Sequence, residues 1–453
     1  MSIYYKITNE TENHYGYQYK DGLNVLEEPF DEKYIKGGLY FTTSEFIHLF
    51  HDYGYNLRIV ELPDDENFKM VAFKDKFKAN MIILKEKYDL KNLNVEDVEK
   101  LLKLDKNLSI LFILYACILG NIQILEWFKN SEYEFKYDKE AIMHASLNGH
   151  IKVLEWFKNS EYEFKYDKCA INCASLNGHI KVLEWFKNSG YEFKYGAHII
   201  NLASEKVNIQ VLEWFKNSGY KFKYDAWAIN LASSKGYIQV LEWFKNSGYE
   251  FKYDAYTISL ASEKGNIQVL EWFKNSGYEF KYYAHTINLA SKNGHIQVLE
   301  WFKNSGYEFK YTENAINLAS ENGHIQVLEW FKNSGYEFKY DENAINYASE
   351  KGNIQVLEWF KNSGYEFKYD ENAINNASKK GHIQVLEWWF KNNNLLIDKN
   401  IIIKNAIQIE NIELLDWFKN NSYNIIYYKS LNYSDVINDW LLKNSKKSDI
   451  III

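Results

Sequence analysis

Three histidines near the N-terminus are the side chains best suited to acid–base or metal chemistry. His48 and His51 stand three residues apart on a predicted helix, with Asp52 and Glu45 nearby, and His14 lies in the same region. Two histidines at this spacing are more often surface or packing residues than ligands when no third ligand is in view. We therefore interpret them as structural.

The three cysteines also indicate structure rather than chemistry. Cys117, Cys169 and Cys173 cannot form a closed set of disulfides, and they fit small helix residues in a reducing compartment. Cys169 and Cys173 are one helical turn apart, but no nearby pair completes a zinc site of the usual spacing. The chain has no Gly-rich phosphate loop and no GxSxG motif. We predict no enzymatic activity, no cofactor and no metal.

The charge balance argues against nucleic acid as a partner. The 453 residues carry a net charge of −8, and Arg58 is the only arginine. A nucleic-acid reader needs a basic face for phosphates and arginines for base edges. No run of 18 apolar residues is present, so no membrane association is expected. We predict a soluble intracellular monomer.

The segments that must position these residues fall into two kinds. Residues 1–95 are irregular and predict a small α+β domain, with strands near 4–8, 22–26, 38–42, 56–62 and 68–73. Residues 42–45 (TTSE) are typical of a capping box that opens a helix ending at Gly54. Residues 94–103 predict a helix that leads into the second part of the chain.

That second part is a 29-residue repeat, cleanest at residues 313–341. A fixed period of this length indicates stacked supersecondary units. The Trp of its EWF core recurs eleven times, at Trp127, Trp156, Trp185, Trp214, Trp243, Trp272, Trp301, Trp330, Trp359, Trp388 and Trp417.

Each repeat predicts two short helices. Ile316 and Ala319 mark the core face of the first, and both residue types are present in all eleven copies. Asn322-Gly323 ends that helix, and a second, amphipathic helix follows at 325–333. Residues 336–341 alternate aromatic and charged side chains, which predicts an extended, strand-like segment. Val207 replaces the turn Gly in repeat four, so strain is expected there.

Because single hairpins of this size cannot bury their apolar faces, the units must stack. We interpret the Trp column as a packing ladder between repeats rather than as a ligand-stacking face. The array with its lead-in helix is assigned to residues 96–429. Residues 433–442, within the C-terminal segment 430–453, predict a capping helix. The apolar tail at 450–453 is either packed, disordered, or bound in a PDZ-type groove of a partner protein.

The segment INLASENGHIQVLEWFKNSGYEF resembles the ankyrin repeat. Ile316, Leu318 and Ala319 match its first helix, Gly323-His324 its GH turn, and residues 335–338 its GADV segment. The 29-residue form, together with the N-terminal motifs GGLYFTTSEF and LRIVELP, resembles ankyrin-repeat proteins of giant DNA viruses of the Mimivirus type. The resemblance implies a mostly α, ankyrin-like solenoid whose first helices bind partners. It also implies a location in the host cell, either the cytoplasm or the virion.

Variation among the copies is concentrated at the two ends of the first helix. At the position of Asn314, four consecutive repeats carry His198, Trp227, Tyr256 and His285. At the position of Glu321, three of them carry charge, at Glu205, Glu263 and Lys292. Aromatic residues flanked by charge resemble interface hot spots. These seven residues are the candidate partner-binding set, and the alternative is neutral drift among duplicated copies.

Two functional hypotheses follow. The first is a non-enzymatic scaffold that binds a host or viral protein. The alternative is an adaptor that selects substrates for a catalytic or ligase-recruiting N-terminal domain, although residues 430–453 show no clear F-box-like pattern.

Overall fold

The computed structural model describes residues 3–32, 37–196, 198–392, 399–421, 425–427, 434–444 and 450–452. They fall into two compact units, Met1–Tyr224 and Asp225–Ile453, and each unit is described by itself.

The first unit begins with a seven-stranded antiparallel sheet. Its core is an apolar cluster in which Leu39, Phe41 and Ile82 are almost fully buried. In space the strands are ordered β2-β7-β4-β1-β3-β6-β5. Their bounds are β1 Tyr4–Thr8, β2 Gly22–Val25, β3 Leu39–Thr43, β4 Asn56–Glu61, β5 Met70–Ala72, β6 Phe77–Ala79 and β7 Met81–Asp89. Two-residue strands at Asn13–His14 and Tyr17–Gln18 form a separate hairpin.

The predicted capping box is wrong. Thr42 and Thr43 belong to β3, and the Thr42 hydroxyl donates to the Asp75 carbonyl at 2.6 Å, so it is not available to cap a helix. The segment that follows is a 3-10 helix at Ile47–Tyr53 without a side-chain cap. The sequence pattern also missed β6 and β7, because β6 is only three residues long and β7 continues from an apolar half into a charged half that carries Lys and Glu.

The lead-in helix is confirmed at Val95–Leu104. The Asn94 side chain caps it by accepting from the Asp97 backbone N–H at 2.9 Å. Short 3-10 turns at Leu90–Asn92 and Lys106–Leu108 flank this helix.

The repeats fold as eleven helix pairs, as the period predicted. The first helices are Ser109–Leu119, Lys139–Leu147, Lys168–Leu176, Ile199–Glu205, Ala226–Lys235, Ala255–Glu263, Ala284–Lys292, Asn314–Glu321, Asn343–Glu350, Asn372–Lys380 and Lys399–Gln408. The second helices are Ile122–Asn130, Ile151–Asn159, Ile180–Asn188, Ile209–Asn217, Ile238–Asn246, Ile267–Ser276, Ile296–Asn304, Ile325–Ser334, Ile354–Ser363, Ile383–Asn392 and Ile412–Asn420.

The core of each repeat is made from the residues that the periodicity selected. In repeat six, Ile258 and Ala261 of the first helix and Val269, Leu270 and Phe273 of the second are fully buried. Burial of each large side chain contributes roughly 1.5–3 kcal/mol. Within each unit, neighbouring hairpins are therefore held together by an apolar layer.

In repeats one to nine, the aromatic segment that follows the second helix is neither helix nor strand, so it does not pair as a β-strand. Ring stacking and side-chain hydrogen bonds hold it instead. Phe309 stacks on Tyr336 of the next repeat at 4.4 Å between ring centroids. The hydroxyl of Tyr311 donates to the carbonyl of Glu337.

The C-terminal end differs from the regular repeats. A helix at Asp435–Asn444 buries Ile437 and Trp440, which agrees with the predicted cap, although Tyr433 lies outside the described residues. Ile450–Ile452 pairs in parallel with Ile425–Tyr427, so this part of the expected tail is a strand. Ile453 lies outside the described residues. Across the described chain, no helix has the length and apolar character needed to span a bilayer.

Candidate functional site

From repeat three to repeat ten, the first helix leaves one side partly uncovered. We call this the first-helix face and define it by the positions of Asn314, Leu318 and Glu321 in every repeat. In repeat eight, Ile316, Asn317 and Ala319 are fully buried, while Leu318 and Glu321 are half-buried and Asn314 is exposed. The face therefore follows from helical spacing, since these positions are four and three residues apart.

Two aromatic side chains stand on this face in consecutive repeats. Trp227 is 47% exposed and Tyr256 is 48% exposed, and both lie at the position of Asn314. Asp225 and Asp254 fix the helix starts beneath them. Their carboxylate oxygens accept from the backbone N–H of Trp227 at 3.0 Å and of Tyr256 at 2.9 Å. Each aromatic residue is thus held in the first turn of a capped helix.

Buried hydrogen bonds tie the repeats together below the aromatic pair. The hydroxyl of Thr257 donates to the Asn230 side-chain oxygen at 2.5 Å, and Ser259 bonds Thr286 at 2.7 Å. All four side chains are buried, so these bonds are shielded from water. No sequence pattern predicted these bonds, although Thr257 and Thr286 replace an Ala of the repeat at residues 313–341 and so differ from the other copies.

The other candidate residues fall at the predicted register positions. His285 and Lys292 are exposed in repeat seven. Glu263 is half-buried, and its carboxylate pairs with Lys264 at 3.0 Å. His198 is exposed and Glu205 is half-buried, at the two ends of the first helix in repeat four. The structure thus places Trp227, Tyr256, His285, Glu263 and Lys292 in one unit, and His198 and Glu205 in the other.

The Trp column has the structure of a packing ladder. In most repeats the indole N–H of the column tryptophan donates to the glutamate of the preceding EWF motif, as for Trp156 to Glu126 at 2.7 Å and Trp301 to Glu271 at 2.6 Å. The ring of Phe280 stacks on Trp301 at 5.4 Å. The sequence carried a signal for this partner, because the Glu recurs beside the Trp, but the bond itself joins residues 30 apart.

The amino-acid sequence is similar to proteins of one giant virus. No family model matches the chain. The protein named "Uncharacterized protein R869" of Acanthamoeba polyphaga mimivirus is 47% identical over 100 residues, which cover 21% of this chain and 72% of that protein. Two further proteins of the same virus, R896 and R868, are named as ankyrin repeat proteins. R896 is 37% identical over 28% of this chain and 40% of its own length. R868 is 42% identical over 20% of this chain and 48% of its own length.

The chain belongs to the Mimivirus ankyrin-repeat proteins. It spans about half the length or less of the two relatives that carry the ankyrin name. The array retains the ankyrin helix pair, with a left-handed Gly after the first helix, as at Gly323 with φ of +76°.

The N-terminal histidines are placed in two different settings. His14 accepts a hydrogen bond at Nε2 from the Asn9 backbone N–H at 3.2 Å, so it is part of the local framework. His48 and His51 lie on the 3-10 helix Ile47–Tyr53, beside the start of the ankyrin array. Tyr115, in the first helix of repeat one, anchors that segment, because its hydroxyl donates to the Gly54 carbonyl at 2.6 Å.

Proposed function

We propose that this ankyrin protein is a non-enzymatic scaffold that binds a host or viral protein through the first-helix face. The observation that carries the proposal is the pair Trp227 and Tyr256, each about half exposed on a capped helix. Their equivalents in repeats eight to ten are Asn314, Asn343 and Asn372, so the fold itself does not need an aromatic residue there.

The physical basis of this proposal is contact area at low entropic cost. A Trp or Tyr on a rigid helix loses few degrees of freedom when a partner covers it. His285, Glu263 and Lys292 would supply a polar rim around this centre, as in other protein interfaces. His198 and Glu205 hold the equivalent sequence positions in repeat four and are candidate contacts of the other unit. The partner would be met in the host cytoplasm or the virion.

The test is a double substitution that uses the array's own residues. Trp227→Asn with Tyr256→Asn keeps side chains that repeats eight to ten already carry at this position. A partner is first identified by affinity capture from infected-cell lysate with the full chain, and its dissociation constant is then measured by calorimetry. We expect the double variant to bind about 30-fold more weakly, which corresponds to roughly 2 kcal/mol.

A matched control removes exposed side chains elsewhere in the same unit. Glu279 and Lys281 are exposed on the aromatic segment and pair at 3.6 Å. Glu279→Ala with Lys281→Ala should leave the dissociation constant unchanged. Equal affinity of the wild type and the Asn double variant would show that Trp227 and Tyr256 arose by neutral drift and do not contribute to binding. A loss in the Ala control alone would move the site to the aromatic segment.

A further inference from the structure

Repeat two departs from the array at two positions of the first-helix face. His144 replaces the Leu found at this position in repeats four to eight, and Glu140 stands one helical turn before it. His144 is only 8% exposed, and its Nε2 atom has no hydrogen-bond partner among the described residues. A buried polar atom without a partner is costly, so a residue kept in this state calls for a ligand.

A second imidazole approaches from the N-terminal segment. His51 Nδ1 lies 3.0 Å from the His48 carbonyl oxygen, so Nδ1 is the donor of this ring and Nε2 is the nitrogen placed to act as a ligand. Such a hydrogen bond from one ring nitrogen commonly orients a metal-binding histidine. Tyr115 fixes the backbone here, since its hydroxyl also lies 3.2 Å from the His51 carbonyl.

The three side chains converge on one point. One donor atom each from His51, Glu140 and His144 lies within 4.8 Å of the other two. The imidazole rings of His51 and His144 meet edge to face at 4.6 Å between centroids. Asp52 adds a second carboxylate, with Oδ1 3.1 Å from His51 Nε2. Two imidazoles and a carboxylate thus offer donor atoms to one point, with the Asp52 carboxylate beside it, and a cation there would be stabilised by them.

We propose that His51, Glu140 and His144 bind one divalent transition-metal ion, with Zn²⁺ as the best match. Two imidazoles and one carboxylate suit Zn²⁺ rather than Mg²⁺ or Ca²⁺, which prefer oxygen ligands. In a tetrahedral site with bonds near 2.0–2.1 Å, the donor atoms stand about 3.3 Å apart. The donor atoms need to approach by at most about 1.5 Å, and Asp52 or water would complete the four ligands. The ion would clamp the 3-10 helix onto repeat two.

The test is metal titration of the full chain with substitutions drawn from the array itself. His144→Leu and Glu140→Asn restore residues that other repeats carry at these positions, so the hairpin is expected to fold. His51→Gln removes the third ligand. Binding of Co²⁺ is followed by its visible absorption, and Zn²⁺ by competition with a chromophoric chelator. We expect one equivalent per chain in the wild type and at least about tenfold weaker binding in each variant.

The matched control tests whether the two cysteine thiols of repeat three, rather than the proposed site, bind the metal ion. Cys169 and Cys173 occupy the same two helix positions in repeat three, and thiols bind Zn²⁺ readily. Cys169→Ser with Cys173→Ser should leave the affinity unchanged, and the Co²⁺ spectrum should show no thiolate absorption. Hydrogen exchange of residues 47–54 and 139–147 should slow on adding Zn²⁺ to the wild type but not to His144→Leu. Unchanged binding in His144→Leu, loss only in the Cys variant, or no saturable binding would each overturn the proposal.

Discussion

The glycine at the turn after each first helix is constrained by its own backbone angle and by contact with the next repeat. Gly265 has φ of +73°, and a Cβ added there would lie 2.9 Å from His295 Nδ1. The same imidazole bonds the Glu263 carbonyl through Nε2 at 2.9 Å. The turn Gly is therefore required twice, once for its backbone angle and once because the following repeat packs over it.

Val207 is the exception in the regular part of the array, and it is predicted to weaken repeat four. Its φ is +59°, a region that β-branched residues avoid, as the sequence analysis expected. Val207→Gly should raise the free energy of unfolding of this repeat by roughly 0.5–1 kcal/mol, because relief of strain exceeds the added chain entropy. This gain in stability is measured by hydrogen exchange of the amides in helix Ile209–Asn217, which should slow in the variant.

The reverse substitution in the preceding repeat is the control. Gly178 has φ of +74°, and a Cβ there would lie 3.2 Å from Asn208 Oδ1. Gly178→Val should lower protection in repeat three. If both substitutions change protection in the same direction, strain at this turn is not the cause.

His14 is predicted to make the N-terminal sheet sensitive to acid. Burial, and then the Lys6 ammonium, lower its pKa to about 4 from the usual 6.5. The folded state holds His14 neutral, whereas the unfolded chain takes up a proton below about pH 6.5. This contribution to stability is therefore complete above pH 6.5 and is lost as the pH falls towards 4. Exchange of the amides in β1 should accelerate over that range, and His14→Gln should remove this part of the dependence.

At the scale of the element, the first helices depend on the residue just before them. Asp225 and Asp254 cap the helices of repeats five and six. Tyr283 stands at that place in repeat seven, is 70% exposed and makes no side-chain cap. Tyr283→Asp should therefore stabilise the helix Ala284–Lys292 by about 1 kcal/mol through a new bond to a backbone N–H.

Two further variants isolate the cap from other effects. Tyr283→Ala removes the ring without adding an acceptor and should give no gain. Asp254→Ala removes an existing cap in repeat six and should cost about 1 kcal/mol. Equal thermal midpoints for Tyr283→Asp and Tyr283→Ala would contradict the prediction.

At the scale of the whole molecule, the connectivity predicts that damage stays local. Leu270 is fully buried in repeat six, and truncation to Ala should cost roughly 2–5 kcal/mol. Because stacked repeats contact mainly their neighbours, exchange should rise in repeats five to seven and change little at the ends. Gln268→Ala, on the exposed side of the same helix, is the control. Uniform loss of protection over all eleven repeats would show that the array unfolds as one unit.

The sequence by itself determined the array. Its period, the eleven helix pairs and the core positions of Ile316 and Ala319 were all readable, because they depend on local helix formation and on a pattern repeated many times. The first-helix face follows from the same spacing. Its aromatic residues could be located, whereas their use in binding stays a prediction.

Only the tertiary structure decided which distant residues meet. The indole of Trp301 donates a hydrogen bond to Glu271, and the hydroxyl of Thr257 donates one to Asn230, and both bonds join one repeat to the next. In the N-terminal region, Thr42 bonds the Asp75 carbonyl and therefore cannot open a helix. His51 and His144 lie far apart in the chain, yet docking of a 3-10 helix on repeat one brings their rings together. Such pairs depend on long-range packing, which neither local propensity nor periodicity encodes.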